Sequence, residues 1–215
     1  MLKLVKKEFA LSVHPTGLIF LALSAMLLIP NYPYYVVFFY TGLGLFFTCL
    51  TGRENHDIDY MLLLPQRKRD VVTARFVSTL ILEGAQLIMT IVFALLRNRL
   101  ISEGNMAGMD ANTAFFGLAL IQLGLMNYTF FTRYYRRPDK VGSAFIFTCI
   151  VCFVYIGLAE TAAFAVPFVR DVLDVPDPAN LPAKLVVLGM GAAGFALLTC
   201  LAWRRSVRSF ETLDC

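Results

Sequence analysis

The stretch VVTARFVSTLILEGAQLIMTIVFALL, residues 71–96, decides the fold class of this chain. A helix needs about 20 mostly apolar residues to cross roughly 30 Å of hydrocarbon, and this stretch is longer than that. Inside the hydrocarbon, a backbone can satisfy its N–H and C=O groups only through its own hydrogen bonds. We therefore expect residues 71–96 to form a membrane-spanning helix.

Five further stretches of the chain have the same character. They cover residues 15–29, 33–51, 112–132, 141–160 and 183–203. The overall composition supports the same interpretation, since the chain is 58% hydrophobic and 16% charged, with a mean hydropathy of +0.68. The sequence predicts an all-α membrane protein with six transmembrane helices, in which residues 1–215 form a single transmembrane domain.

The N-terminal residues 1–13 predict an amphipathic helix at the membrane interface. Leu2, Val5 and Phe9 fall on one helical face, and the neighbouring lysines can reach the headgroup region. The alternative is a charged flank that only orients the first span.

The basic residues alternate between the two sides of the predicted spans. Fifteen of the 19 Lys and Arg residues fall in the N-terminal segment, the second loop and its edge, the fourth loop and the tail. The positive-inside rule then predicts a multi-pass protein of the cell membrane with both termini in the cytoplasm. The net charge of +4 reflects this topology, and no nucleic-acid partner is expected.

Several catalytic classes lack their motifs in this sequence. It contains neither a phosphate-binding G-x-x-x-x-G-K-[ST] loop nor an H-E-x-x-H or G-x-S-x-G motif. Cys149 and Cys152 form a C-x-x-C, but it lies inside an apolar span without a second pair or a nearby histidine. We predict no catalytic residues, no metal site and no cofactor bound by this chain.

The second loop, residues 52–70, is the most distinctive local feature. Its acidic, aromatic and apolar segment 57–64 ends at Pro65 and is followed by a basic run. Asp70 is expected to cap the N-terminus of the following span. Residues 60–63 are apolar although the loop is predicted to be cytoplasmic, so we expect them to lie on the bilayer or to dock into a partner protein.

Two motifs in this loop carry a resemblance to a known family. The first is Glu54-Asn-x-Asp57-x-x-Tyr60. The second is Leu63-Leu-Pro65, followed by Arg67, Lys68, Arg69, Asp70, Val71, Val72, Ala74 and Arg75. With its length and layout, the chain resembles the short six-span bacterial ABC-2 type permeases. That group includes the membrane subunits of phenol-soluble-modulin exporters.

The resemblance implies a permease that is not itself an enzyme. Two such chains, identical or different, would pair in the lipid bilayer, and a separate ABC ATP-binding subunit would bind ATP and Mg²⁺. The loop between spans two and three would be the coupling helix that docks into that ATPase. Its implied coupling residues are Asp57, Asp59, Tyr60, Leu63, Leu64, Pro65, Arg69 and Asp70.

The implied function is export of an amphipathic or hydrophobic cargo by ATPase-driven alternating access. Such a cargo would be a peptide, an antimicrobial compound or a lipid. The alternative is a six-span substrate-capture subunit of a vitamin importer. That subunit would need a formed ligand pocket with ordered outer loops.

Polar residues within the spans predict either a pathway or a set of helix contacts. Thr79, Glu83, Gln86 and Thr90 follow one another at spacings of 4, 3 and 4, which places them on one helical stripe. Gln122 and Asn127 of the fourth predicted span can face that stripe. The six residues form either a cargo-contacting translocation seam or interhelical hydrogen bonds, with Glu83 protonated or paired to a basic residue.

Two features concern the outer side and the packing. The extracellular segment 160–182 holds four prolines, so we expect a re-entrant hairpin with an outer loop, or a plain solvent loop. Small residues in the sixth span, such as Gly191, and Gly117 and Gly124 in the fourth predict close helix approach. That approach lies either within the bundle or across a dimer.

Overall fold

A computed structural model describes residues 2–9, 15–63, 66–101 and 104–212, and these residues form helices without a β-strand. The predicted all-α fold is therefore confirmed for the described part of the chain. Its α-helices are α1 (Leu2–Lys7), α2 (Pro15–Ala22), α3 (Val36–Glu54), α4 (Asp57–Leu63), α5 (Lys68–Leu100), α6 (Thr113–Tyr134), α7 (Val141–Ala165) and α8 (Leu181–Glu211).

Five helical segments are long and apolar enough to cross a membrane. They are α3, α5, α6, α7 with the 3-10 turn Pro138–Lys140 before it, and α8. The first predicted span is shorter: α2 has eight residues and continues as the 3-10 segment Leu23–Leu28. The described residues thus contain five candidate spans and one shorter apolar helix, so the predicted count of six is not confirmed.

The N-terminus of α5 corrects one expectation. Asp70 does not cap this helix, because α5 already begins at Lys68 and its capping position is Arg67. The Asp70 N–H instead donates a 2.8 Å hydrogen bond to the Arg67 carbonyl. The carboxylate still lies in the first turn, where the helix dipole favours a negative charge.

The closest helix packing joins α6 and α8 within one chain. A Cβ atom added at Gly117 would lie 2.7 Å from the carbonyl oxygen of Val187 and 2.8 Å from the Cα of Leu188. A Cβ atom at Gly191 would lie 2.8 Å from the Cα of Gly117. Both glycines therefore allow backbone contact inside the bundle, as small residues do between membrane helices.

The outer segment 160–182 has three parts. Residues 160–165 complete α7, Val169–Leu173 form a π-helical turn, and the remainder connects to α8. The Asp110 N–H donates a 2.7 Å bond to the Asp174 carboxylate, and Lys184 forms a 2.9 Å ion pair with Asp177. The first contact fixes the segment against the residues that precede α6, and the second fixes it to α8.

The pKa values of two carboxyl groups in this outer segment are shifted in opposite directions. Burial raises the pKa of Asp174 to about 6, against the lowering effect of the hydrogen bond from Asp110. Burial also acts to raise the pKa of Asp177, but hydrogen bonds from Lys184 and Thr113 lower it below its ordinary value.

Candidate coupling site

The short helix α4 connects α3 to α5 at the end of the bundle that carries both termini. Asp57 and Asp59 lie in its first turn, where carboxylates interact favourably with the positive end of the helix dipole. The exposed His56 ring lies 3.0 Å from the Asp59 carboxylate. The sequence thus favours a helix start directly after α3, although only seven residues are helical.

The two faces of α4 differ in burial. Met61 is 4% exposed and belongs to the apolar cluster at this end of the bundle, with Ile58 packed against that cluster. On the opposite side, Tyr60 is 61% exposed and Leu63 is 85% exposed. The helix is therefore packed onto the bundle by one face and presents an aromatic and an aliphatic side chain on the other.

Asp57 connects α4 to a network of buried charges. The Arg75 guanidinium of α5 lies 2.9 Å from the Asp57 carboxylate and 2.5 Å from the carboxylate of Glu8. Lys7, the last residue of α1, forms ion pairs with Asp57 and, at 3.7 Å, with Glu8. Two cations and two anions thereby join the N-terminal segment, α4 and α5.

This network lies inside the protein. The side chains of Arg75 and Glu8 are 6% and 3% exposed. Arg75 also rests against α3, because its guanidinium donates to the Cys49 sulfur at 3.8 Å, and a Cβ atom at Gly52 would lie 3.9 Å from it. Buried ion pairs compensate their desolvation only when both partners are present, and losing one partner costs about 3–5 kcal/mol.

The polar stripe of α5 is buried, and part of it bonds to α6 and α8. Asn127 of α6 donates a 3.1 Å hydrogen bond to the Glu83 carboxylate and a 3.3 Å bond to the Thr199 hydroxyl of α8. Thr79 donates to the Arg75 carbonyl of its own helix at 2.9 Å. This part of the stripe therefore connects three membrane helices.

The rest of the stripe bonds toward the N-terminal half of the chain. Gln86 donates a 2.8 Å bond to the Ser24 hydroxyl, which lies 3.4 Å from the Thr90 hydroxyl. Gln122 does not reach the stripe; its amide donates to the Tyr35 carbonyl at 3.1 Å. Five of the six seam candidates thus hydrogen-bond between elements, whereas Thr79 hydrogen-bonds within its own helix.

Comparison with known proteins assigns this helical bundle to a family. The sequence model of a family described as "ABC-2 family transporter protein" matches residues 3–211. The chain belongs to the ABC-2 transporter family. Neither a curated protein nor a solved structure gives a match. Family membership identifies an ABC-type permease, a non-catalytic membrane subunit.

The coupling residues implied by the resemblance occupy different positions in this ABC-2 protein. Asp57 belongs to the charge network, whereas Asp59, Tyr60 and Leu63 are exposed on α4. Arg69 and Asp70 lie in the first turn of α5, with the Arg69 guanidinium 5.0 Å from the Trp203 ring of α8. Leu64 and Pro65 lie outside the described residues.

Three members of the charge network are absent from the coupling residues that the sequence predicts. Lys7 and Glu8 belong to a lysine-rich N-terminus and lie 50 and 67 residues from their partners Asp57 and Arg75. Arg75 lies at the edge of a basic loop, so in the sequence it looks like one more of that loop's positive charges. One local signal was available: a basic residue within an otherwise apolar span is costly and needs a partner.

Proposed function

We propose that this ABC-2 protein is the membrane-spanning permease subunit of an ABC-type exporter. Two permease chains, identical or different, pair in the cell membrane with both termini in the cytoplasm. A separate ATP-binding subunit, which holds ATP and Mg²⁺, docks onto the exposed face of α4. The cargo is amphipathic or hydrophobic: a peptide, an antimicrobial compound or a lipid.

One observation carries the proposal: α4 is exposed on one face and ion-paired to the bundle on the other. Tyr60 and Leu63 form a small apolar patch, and Tyr is among the residues enriched in protein interfaces. Asp57, one turn before Met61 on the packed face, is paired with Arg75. A contact made on the exposed face is therefore connected to a membrane helix through a charge pair.

The geometry supports a path by which ATPase movement reaches the membrane helices. Arg75 lies on α5, a single 33-residue helix of about 50 Å. A displacement of α4 would be transmitted to Arg75 through Asp57, and to the N-terminal segment through the ion pair between Asp57 and Lys7. Moving α5 relative to its neighbours would switch the bundle between inward-facing and outward-facing states.

The distribution of charge supports the orientation of this assembly. The basic residues of the N-terminal segment, the α4 region and the tail account for most of the 19 Lys and Arg residues. Positive charge is retained on the cytoplasmic side of membrane proteins, which is where a soluble ATPase must dock.

The test separates docking from coupling. Asp57→Asn leaves the exposed face of α4 intact and weakens the link to Arg75, so the ATPase should still co-purify. Charge-assisted hydrogen bonds are worth about 1.5–3 kcal/mol, so the permease-dependent stimulation of ATP hydrolysis in proteoliposomes should fall about tenfold or more.

The matched control is Asp139→Asn in the 3-10 turn before α7. Asp139 is exposed and lies outside both α4 and the charge network, so its loss should leave the stimulation within about twofold. Equal behaviour of Asp57→Asn and Asp139→Asn would contradict the proposed transmission route.

A further inference from the structure

A groove of about 660 Å³ opens between α6, α7 and α8 at the end of the bundle that carries both termini. Four arginines line it: Arg133 at the end of α6, Arg136 in the turn after α6, and Arg205 and Arg208 from the last turns of α8. The described residues that line this groove include no carboxylate. Positive charge is therefore concentrated in the groove, and a bound anion would reduce the repulsion between the arginines.

Aromatic rings hold two of these arginines in place. The Arg133 guanidinium lies 3.5 Å from the centre of the Phe147 ring of α7, and the Arg205 guanidinium lies 5.2 Å from the centre of the Tyr128 ring of α6. Stacking uses the flat face of a guanidinium and leaves the N–H groups at its edge able to bind a phosphate. Two of the four donors are thus oriented before any ligand arrives.

The deeper walls of the groove are apolar. Leu125 lies two turns from Arg133 along α6, about 12 Å further into the span, and Val151 of α7 lines the same groove. Both residues belong to helices that are candidate membrane spans. The groove consequently changes from cationic at the membrane boundary to apolar within the hydrocarbon region.

We propose that this groove binds one anionic phospholipid of the surrounding leaflet. The four arginines contact its phosphate headgroup, and Leu125, Phe147 and Val151 contact the beginning of an acyl chain. Basic pockets between membrane helices on the cytoplasmic side are suited to such headgroups. A free phosphate ion would use the same arginines but would gain nothing from the apolar walls. This inference does not depend on the docking of an ATPase.

The probes are short-chain phosphatidylglycerol, phosphatidylcholine with the same chains, and glycerol phosphate, each added to the purified chain in detergent. Phosphatidylglycerol should raise the thermal unfolding temperature, and native mass spectrometry should retain one molecule per chain. The other two probes should give neither effect. Equal effects of phosphatidylglycerol and phosphatidylcholine would overturn the anionic site, and an equal effect of glycerol phosphate would replace the lipid by a soluble phosphate.

Two variants locate the site. Arg136→Gln with Arg208→Gln removes two charges and leaves both stacked arginines in place, so the fold is preserved while phosphatidylglycerol binds at least tenfold more weakly. Arg133→Gln with Arg205→Gln should weaken binding further.

The matched control is Arg137→Gln with Arg204→Gln. It removes two exposed arginines adjacent in sequence to Arg136 and Arg205 that do not line the groove. This control should bind like the wild type. An equal loss in the control would show a general surface-charge effect and would overturn the proposed site.

Discussion

Arg75 of α5 forms a 2.9 Å ion pair with Asp57 on the packed face of α4. On the other face of the same helix, Tyr60 and Leu63 are exposed. The packed face of α4 is thus fixed to the membrane helix that follows it, while the exposed face is accessible to a partner. In the proposed mechanism, a force on the exposed face of α4 acts on a membrane span through this ion pair.

The first prediction concerns the stability of the charge network. Arg75→Met should lower the free energy of unfolding by about 3–5 kcal/mol, since it leaves the Glu8 carboxylate buried without its main partner. The double change Arg75→Met with Glu8→Leu should recover much of that loss, because it removes the unpaired charge. Thermal unfolding in detergent compares the three proteins, and a double variant as unstable as Arg75→Met would contradict the pairing.

The second prediction concerns the contact between α6 and α8. Gly191→Ala places a methyl group against the backbone of Gly117, and the overpacking should cost roughly 1–3 kcal/mol. Gly189→Ala is the control on the same helix, because a Cβ atom there meets nothing within 4 Å. The control should be neutral or stabilising by up to about 1 kcal/mol. Equal destabilisation by the two changes would be inconsistent with the packing described.

Much of the fold was predictable because the bilayer restricts the choices. An apolar stretch of more than 20 residues must be helical in hydrocarbon, and five of the six predicted stretches are long helices. The 3-10 conformation of Leu23–Leu28 was not predictable, since nothing in the composition of these residues distinguishes a 3-10 segment from an α-helix. The start of α5 was misjudged because Asp70 suits a cap, whereas the backbone already becomes helical at Lys68.

The candidate site was predictable only in its local part. The character of residues 57–63 predicts a segment that either lies on the bilayer or docks into a partner, because an apolar segment between charged residues is visible in sequence. Glu8 and Arg75 are 67 residues apart, and each looks like an ordinary flanking charge. Their pairing depends on how α1 lies against α5, which is a property of the folded bundle.

The third prediction concerns pH and the outer segment. The raised pKa of Asp174, about 6, means that the folded state binds more protons than the unfolded chain between about pH 4 and pH 6. Stability from this group is therefore present at low pH and is lost as the pH rises through about 6. Asp177, with its lowered pKa, contributes a slope of the opposite sign, which is confined to pH values near and below the ordinary aspartate pKa of 3.8.

Asp174→Asn keeps an oxygen that can accept the hydrogen bond from Asp110 and removes the titration. The unfolding temperature of the wild type should fall between about pH 4.5 and pH 7 by more than that of the variant. Identical pH profiles would show that Asp174 does not titrate in this range.

The fourth prediction separates the two interpretations of the polar stripe. Glu83→Gln keeps an acceptor for Asn127 and should preserve both stability and transport. Glu83→Ala loses the bond, which is worth roughly 0.6–1.7 kcal/mol between membrane helices, and adding Asn127→Ala should cost only the further bond from Asn127 to Thr199. If Glu83→Gln abolished transport without changing the unfolding temperature, the stripe would be a cargo-contacting seam.

The most direct test of the account is whether the exposed face of α4 holds the ATP-binding subunit. The measurement is co-purification of the permease with its ATPase for the wild type, for Tyr60→Ala with Leu63→Ala, and for the control Leu100→Ala with Met106→Ala. The control removes two exposed apolar side chains at the opposite end of the bundle. We predict a stable complex for the wild type and the control and its loss in the α4 variant; retention of the ATPase by the α4 variant would contradict the account.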